Sequence, residues 1–250
     1  MRRKALQRIG DIALASLVLV AAWQGLSASI GIRTLPAPLQ TAMRISAAFG
    51  QPSFLRDLAA TGQAYAIALA LAMSGGVALG LLSGGWRAFG ETVEPAMQVL
   101  VAIPKVTLYP VILLLFGLGD TAKIAFGVLH GLPTVTIMTA GAIHALKPIY
   151  RKAARTMRLT PRNYALHILL PAVAPEILAS FRICFGLTLL GVLVGEMFAS
   201  TRGLGHLLMA SMGVDDMPTV MAIIVLLFLF AGAGSWGLLA AIERFKAASR

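Results

Sequence analysis

Charge is what this chain has least of. Only 12% of its 250 residues are Asp, Glu, Lys or Arg, about half the share found in an ordinary soluble domain, and mean hydropathy is +0.83. So little polar surface excludes a soluble globular fold and makes lipid the solvent for most of the chain. Cysteine is nearly absent too. The single Cys184 lies in an apolar run, which excludes an intrachain disulfide and a multi-cysteine metal site. No G-x-x-x-x-G-K-[ST] loop is present to cradle nucleotide phosphates and no H-E-x-x-H pair to hold zinc, while His130, His144, His167 and His206 are scattered without ligand spacing. Ionisable residues inside the apolar runs are few, with Lys105, Arg182 and Glu196 the clearest. A self-contained secondary carrier or channel, the alternative reading, would need more of them and a paired internal repeat. A membrane-embedded enzyme would need clustered polar groups inside the spans.

What is present is long and apolar. A bilayer core about 30 Å thick takes roughly 20 apolar residues as a helix, and six stretches qualify: Ile12–Ser29, Gly62–Leu82, Pro95–Phe116, Ala122–Ala145, Pro175–Ala199 and Pro218–Ile242. The expected fold is therefore an all-α polytopic membrane protein, residues 1–250 forming one transmembrane domain. Net charge is +11. Because the basic residues punctuate apolar runs, they mark a cytoplasmic membrane face rather than a nucleic-acid partner. Putting the N-terminus inside assigns Arg2, Arg3, Lys4, Arg8, Arg87, Lys147, Arg151, Lys152, Arg155, Arg158, Arg162, Arg244, Lys246 and Arg250 to the cytoplasm. Only Arg33, Arg44, Arg56 and Arg202 fall outside. Both termini are then expected to be cytoplasmic. A cleaved signal peptide is the rival reading of "MRRKALQRIGDIALASLVLVAAW", but cleavage would leave five spans and upset this balance. Residues 30–61, with Pro36, Pro38 and Pro52, read as an external loop carrying a short interfacial helix near Phe54–Ala60.

Within the spans, glycines recur at four-residue spacing: Gly76, Gly80 and Gly84; Gly127 and Gly131; Gly191 and Gly195. Such spacing lets helix backbones approach closely where lipid offers no hydrophobic drive. Pro104, Pro110 and Pro133 remove backbone donors, so kinked or broken helices are expected there.

Acidic residues are missing altogether between Asp120 and Glu176, yet "RKAARTMRLTPR" carries five Lys or Arg in twelve positions. The segment 147–171 has helix grammar. Pro148 suits a first turn, Ile149, Ala153 and Met157 share a face, and Thr160-Pro161 reads as the cap and first position of a second helix running to Pro171. A basic amphipathic pair on the cytoplasmic side suits docking of another protein.

The spacing of Ala153-Ala154, Ile168, Leu170 and Pro171 resembles the "EAA" loop of binding-protein-dependent ABC importer permeases: E-A-A, three residues, G, nine residues, I-x-L-P. The passages "VAIPKVTLYPVILLLFGLGDTAKI" and "FRICFGLTLLGVLVGEMFASTRGLGHLL" are similar to the branch importing nitrate, taurine and alkanesulfonates. The resemblance runs from about Leu58 to the C-terminus. It implies a type I permease fold of six spans in the bacterial inner membrane, assembled as a homodimer. It also implies an external solute-binding protein and a cytoplasmic ATP-hydrolysing subunit that holds ATP and Mg, with no cofactor on this chain. It assigns coupling to Ile149, Lys152, Ala153, Ala154, Met157, Arg158, Ile168, Leu170 and Pro171. Two positions depart, since Lys152 stands for the family's Glu and Arg158 for its Gly. Arg158 matters more, because that glycine commonly ends a helix in the left-handed conformation. Lys105, Arg182 and Glu196 are the candidates for a substrate pathway, with structural roles for Lys105 and Arg182 as the competing reading.

Overall fold

The computed structural model describes the backbone of residues 2–31 and 33–248, and their side chains except at 2–9, 12–13, 151, 199 and 244–248. Arg2, Arg3, Lys4, Arg8, Arg151, Arg244, Lys246 and Arg250, on which the orientation partly rests, lie outside the described side chains. Among the described residues every regular element is helical: α1 Arg2–Ile30, α2 Pro38–Phe49, α3 Pro52–Gly85, α4 Arg87–Ala102, α5 Tyr109–Phe116, α6 Asp120–His144, α7 Pro148–Thr156, α8 Pro161–Tyr164, α9 Leu170–Ala199, α10 Leu204–Gly213 and α11 Met217–Ala248. The chain divides into two compact units, Met1–Arg56 with Leu207–Leu229, and Asp57–His206 with Phe230–Arg250.

Among the described residues four helices, containing α3, α6, α9 and α11, are long and apolar enough to cross a membrane, and Leu14–Ile30 is apolar but shorter. The third expected span, Pro95–Phe116, is broken at Pro104 as expected, and the helix before the break begins earlier: the pair is Arg87–Ala102 and Lys105–Phe116, bent by 105°. Pro104 is the cause, since it lacks an N–H and forces Ile103 out of helical geometry, at ψ 137°. Pro110 falls in the first turn of α5, where a missing donor costs nothing, and Pro133 is accommodated inside a continuous α6.

The loop character expected for residues 30–61 is corrected. Residues 38–49 form α2, and the separate helix near Phe54–Ala60 is simply the beginning of the 34-residue α3. Pro38 and Pro52, read as loop punctuation, are the first residues of these helices, positions for which a fixed φ is suited.

In the unit containing Met1–Arg56, Trp23 donates its indole N–H to the Pro36 carbonyl at 3.0 Å, so the chain after α1 is tied back to it. Arg44 of α2 pairs with Asp216 at 3.2 Å and donates to Thr219 Oγ1 at 2.8 Å. Partial burial pushes the Asp216 carboxyl up, but donors from Thr219 and the Arg44 guanidinium outweigh it and hold that group below its ordinary range.

In the other unit, the glycine rows are packing seams. A methyl group at Gly76, Gly80 or Gly84 of α3 would lie 2.6, 2.5 or 2.7 Å from Val135, Thr139 or Ile143 of α6. A methyl at Gly191 would meet the Phe126 carbonyl at 2.7 Å, and one at Gly195 the Lys123 Cα at 2.8 Å. Both rows work as the four-residue spacing predicts. Around them a core of Ala64, Tyr65, Ala68, Leu189 and Val192 is closed by Phe185. Tyr65 donates to the Phe185 carbonyl at 3.0 Å, which satisfies its hydroxyl inside an apolar setting.

Candidate functional site

The basic segment is built as a helix with a complete stop, followed by a second capped start. At the end of α7, Met157 N–H bonds to Ala153 O at 2.9 Å, Arg158 N–H to Arg155 O at 3.1 Å and Leu159 N–H to Ala154 O at 3.0 Å. The last two are the paired bonds of a Schellman motif, which requires the residue just past the helix to be left-handed. Arg158 is that residue, at φ 52°. The backbone keeps the turn that a glycine would make easily and imposes it on an arginine. Two residues later Thr160 adopts extended geometry and accepts from Asn163 N–H at 3.3 Å, capping α8. Residues Ala165–Leu169 form a single π-turn that leads directly into α9. The second helix therefore does not stop at Pro171, a correction to the expected pair. Pro171 sits in the first turn of α9, where it breaks nothing.

The outward face of this segment is apolar and basic together. Ile149 is 61% exposed and Met157 67%, with Tyr150 and Leu166 also exposed, while Ala154 is buried. Ala153, Ile168 and Leu170 are half-buried and Pro171 is exposed. Lys147, Lys152, Arg155, Arg158 and Arg162 are all exposed, and none joins an ion pair among the described residues. Leu166, Leu170, Pro171, Ala174, Ile177 and Leu178 line an apolar hollow beside it. Apolar side chains held outward next to cations leave this face of the helix without a partner among the described residues.

The three candidate pathway residues are not brought together. Glu196, near the far end of α9, is fully buried. Its carboxylate accepts from Thr61 Oγ1 at 2.8 Å, Gly205 N–H at 3.0 Å and Lys123 Nζ at 3.4 Å. Lys123, itself 1% exposed, also pairs with Asp120 at 2.9 Å. Thr61 Oγ1 accepts from Leu204 N–H at 2.8 Å, and Asp57 accepts from Gly203 N–H at 2.9 Å. Successive amides at the start of α10 are thus satisfied by side chains of α3 and α9, which complement the positive helix end. In this structure Glu196 lines no open path. Sequence reasoning gave no role to Lys123, which falls at the start of the expected span Ala122–Ala145, and missed Asp57 and Thr61. The available signal was that a buried glutamate in lipid demands a cationic partner.

Arg182 differs. It lies near the middle of α9 on an exposed face with Ile183, Gly186 and Leu190, in no ion pair among the described residues. A guanidinium facing hydrocarbon at that depth costs about 3 kcal/mol or more, so such groups face water or protein. Lys105 sits at the break between α4 and α5 and reaches back to the Val101 carbonyl at 3.5 Å.

Residues 76–245 match the family described as binding-protein-dependent transport system inner membrane component. The chain belongs to that family. It is similar to the nitrate import permease protein NrtB of Synechococcus elongatus, 28% identical over 76% of this chain and 71% of that one. It is also similar to the taurine transport system permease protein TauC of Escherichia coli, 24% identical over 71% and 66%. Among solved structures it resembles an inward-facing MetNI methionine ABC transporter chain with TM-score 0.59 at 17% identity, over 78% of this chain and 94% of that chain. This binding-protein-dependent permease is a membrane transport subunit of an ABC importer, and ATP hydrolysis in such systems belongs to a separate subunit. The matched range contains α6 to α9 and the whole basic segment.

Proposed function

We propose that this permease imports a small oxyanion-bearing solute, of the nitrate, sulfonate or carboxylate kind, as one of two identical transmembrane subunits in the bacterial inner membrane, with residues 1–250 acting as one permease domain. An external binding protein delivers the solute. Residues 147–171 dock on a cytoplasmic ATPase that binds ATP and Mg, and both termini lie on that side. The observation that carries this reading is the Schellman-terminated, outward-apolar, basic α7. Such a helix can bias one conformation of the pathway only through contacts that differ between states, and Ile149, Met157 and Lys152 are the groups free to make them. The ATPase groove facing Lys152 is acidic on this reading, since a like charge across a partly desolvated interface is costly. Arg182 and Lys105 face the pathway between copies, where a mid-membrane cation is hydrated or meets cargo. Glu196 has no cargo role here, because its acceptors are committed.

The test is uptake into proteoliposomes. The permease with its ATPase and binding protein should import the anion only with ATP, and Arg182→Gln should slow uptake several-fold while dimer and ATPase assembly persist. Uptake by the permease alone on an ion gradient would overturn the proposal. Equal loss of assembly and uptake in Arg182→Gln would reassign that residue to structure.

A further inference from the structure

At the end of the second unit that carries α7, a cavity of about 690 Å³ opens between the last residues of α3 and α6, the face of α4, and Tyr164 and Leu169 just before α9. Nothing in the coupling or pathway reading uses it. Its chemistry is unlike the rest of that end. In a chain of net charge +11, α4 places two carboxylates here, Glu91 and Glu94. Arg87 pairs with Glu91 at 2.8 Å, and both of these side chains point largely into solvent. Glu94 is left over. Its Oε1 is buried with no hydrogen-bond partner, and its ion-pair partner among the described residues is His144, whose Nε2 lies 3.7 Å away and carries charge only when the ring is protonated.

A second orphan lies in the same cavity. Ser83 is 1% exposed, and its Oγ also has no partner. Native proteins leave few such groups, because each forfeits the hydration it had in the unfolded chain. The two orphans are brought together by a glycine. A methyl group at Gly90 would lie 2.5 Å from the Ser83 carbonyl and 3.0 Å from Glu94 Oε1, so only a residue without a side chain lets α4 approach α3 there. Ile143, Tyr164 and Leu169 supply an apolar wall opposite.

One carboxylate whose counter-charge is a titratable histidine, one unpartnered hydroxyl and an apolar, partly aromatic wall, in a volume suited to a whole small molecule, define a recognisable ligand. The geometry points to a binding site for a small organic cation, an alkylammonium or guanidinium compound whose charged end meets Glu94 and Ser83 while its carbon body lies against Ile143, Tyr164 and Leu169. Cavity volume decides against a single side chain from a partner, which would fill only part of this space. Since Tyr164 and Leu169 lie on the stretch that joins the stop of α7 to α9, an occupant braces the connection between the docking helix and α9. The ligand is thereby a regulator of coupling, and this last step rests on the proposed docking of 147–171.

The binding test uses the full chain in zwitterionic nanodiscs, titrated with agmatine and with 1,5-diaminopentane, followed by calorimetry and by thermal midpoint. The expectation is saturable binding at one site per chain with a rise in midpoint. Glu94→Gln weakens it about tenfold or more, as loss of a charged hydrogen bond requires. Ser83→Ala weakens it less, and Glu91→Gln leaves it within about twofold, because Glu91 already has its cation. Elution profile and ligand-free midpoint report whether Glu94→Gln is folded. Absence of saturable binding up to about 10 mM, a range that would reveal even weak sites, overturns the proposal. So does equal binding by Glu94→Gln and the parent. Failure of amine binding together with loss of ATPase assembly in Glu94→Gln would also overturn it, assigning the carboxylate to a basic side chain of the partner. A separate arm measures ATP turnover of the assembled transporter. Agmatine should change it in the parent and not in Glu94→Gln. Binding without any effect on turnover would leave the site standing and remove its regulatory role.

Discussion

Replacing Arg158 by glycine should strengthen the end of α7. Arg158 is held at φ 52°, a conformation that costs an L-residue with a Cβ about 1–2 kcal/mol and glycine nothing. Glycine also gives the unfolded segment more freedom, which offsets roughly 0.4–1 kcal/mol of that gain. The net expectation is about 0.5–1 kcal/mol in favour of the closed Schellman turn, or roughly two- to fivefold in its opening equilibrium. Hydrogen exchange is the appropriate assay because the Arg158 and Leu159 amides are themselves the bonds of the motif, to Arg155 and Ala154. In native-state exchange of the full permease, these amides should exchange two- to fivefold more slowly in Arg158→Gly. Arg158→Ala is the control, since it removes the charge but keeps the Cβ, and should match the parent. An equal slowing in both variants would mean that charge repulsion, not backbone strain, limits this turn. No slowing in Arg158→Gly would refute the strain account altogether.

Gly191→Leu should prevent α6 and α9 from closing, because even a methyl there meets the Phe126 carbonyl at 2.7 Å. A loss of 1–3 kcal/mol or more is expected from overpacking, read as a lower thermal midpoint, whereas Gly186→Leu, with open space around it, should fold normally. Lys123→Met should destabilise by about 3–5 kcal/mol, as it strands a buried carboxylate, and adding Glu196→Gln should recover part of that loss. Strict additivity of the two changes would refute the coupling. The depressed Asp216 carboxyl contributes stability that is present above its unfolded value of about 3.9 and lost as pH falls through the still lower folded value. Acid titration should therefore release the Arg44 contact only below that ordinary range, and Asp216→Asn should abolish the transition.

Much of the architecture was legible because lipid imposes simple demands. Long apolar runs have to be helices, and glycines every four residues have to meet a neighbour, as Gly80 meets Thr139 and Gly195 meets Lys123. The helix break at Pro104 was legible as a break, but its 105° angle was not, since the direction after a bend is set by what the following helix packs against. The helical character of residues 147–171 was legible from its spacing, and so was the conflict at Arg158. Its resolution was not: Thr160-Pro161 could equally have supplied the stop, and the backbone chose a left-handed arginine. Residues 30–61 misled because prolines that begin helices and prolines that interrupt loops look alike in sequence. Among the candidate pathway groups, Glu196 was the hardest to place. Its partners Lys123, Thr61 and Gly205 are 73, 135 and 9 residues away, and no local pattern encodes contacts of that range.

The central claim is that α7 docks on the ATPase, and it can be tested through one added thiol. Cys184 is the single cysteine and is buried, so Met157→Cys, at an exposed position, creates one reactive site. A short bifunctional cross-linker should join Cys at 157 to the ATPase subunit in the assembled transporter, with a yield that changes between nucleotide-free and ATP-bound states, since coupling requires contacts that differ between them. A thiol at 157 that reacts freely with soluble reagents yet never captures the ATPase, in either state, would contradict the account.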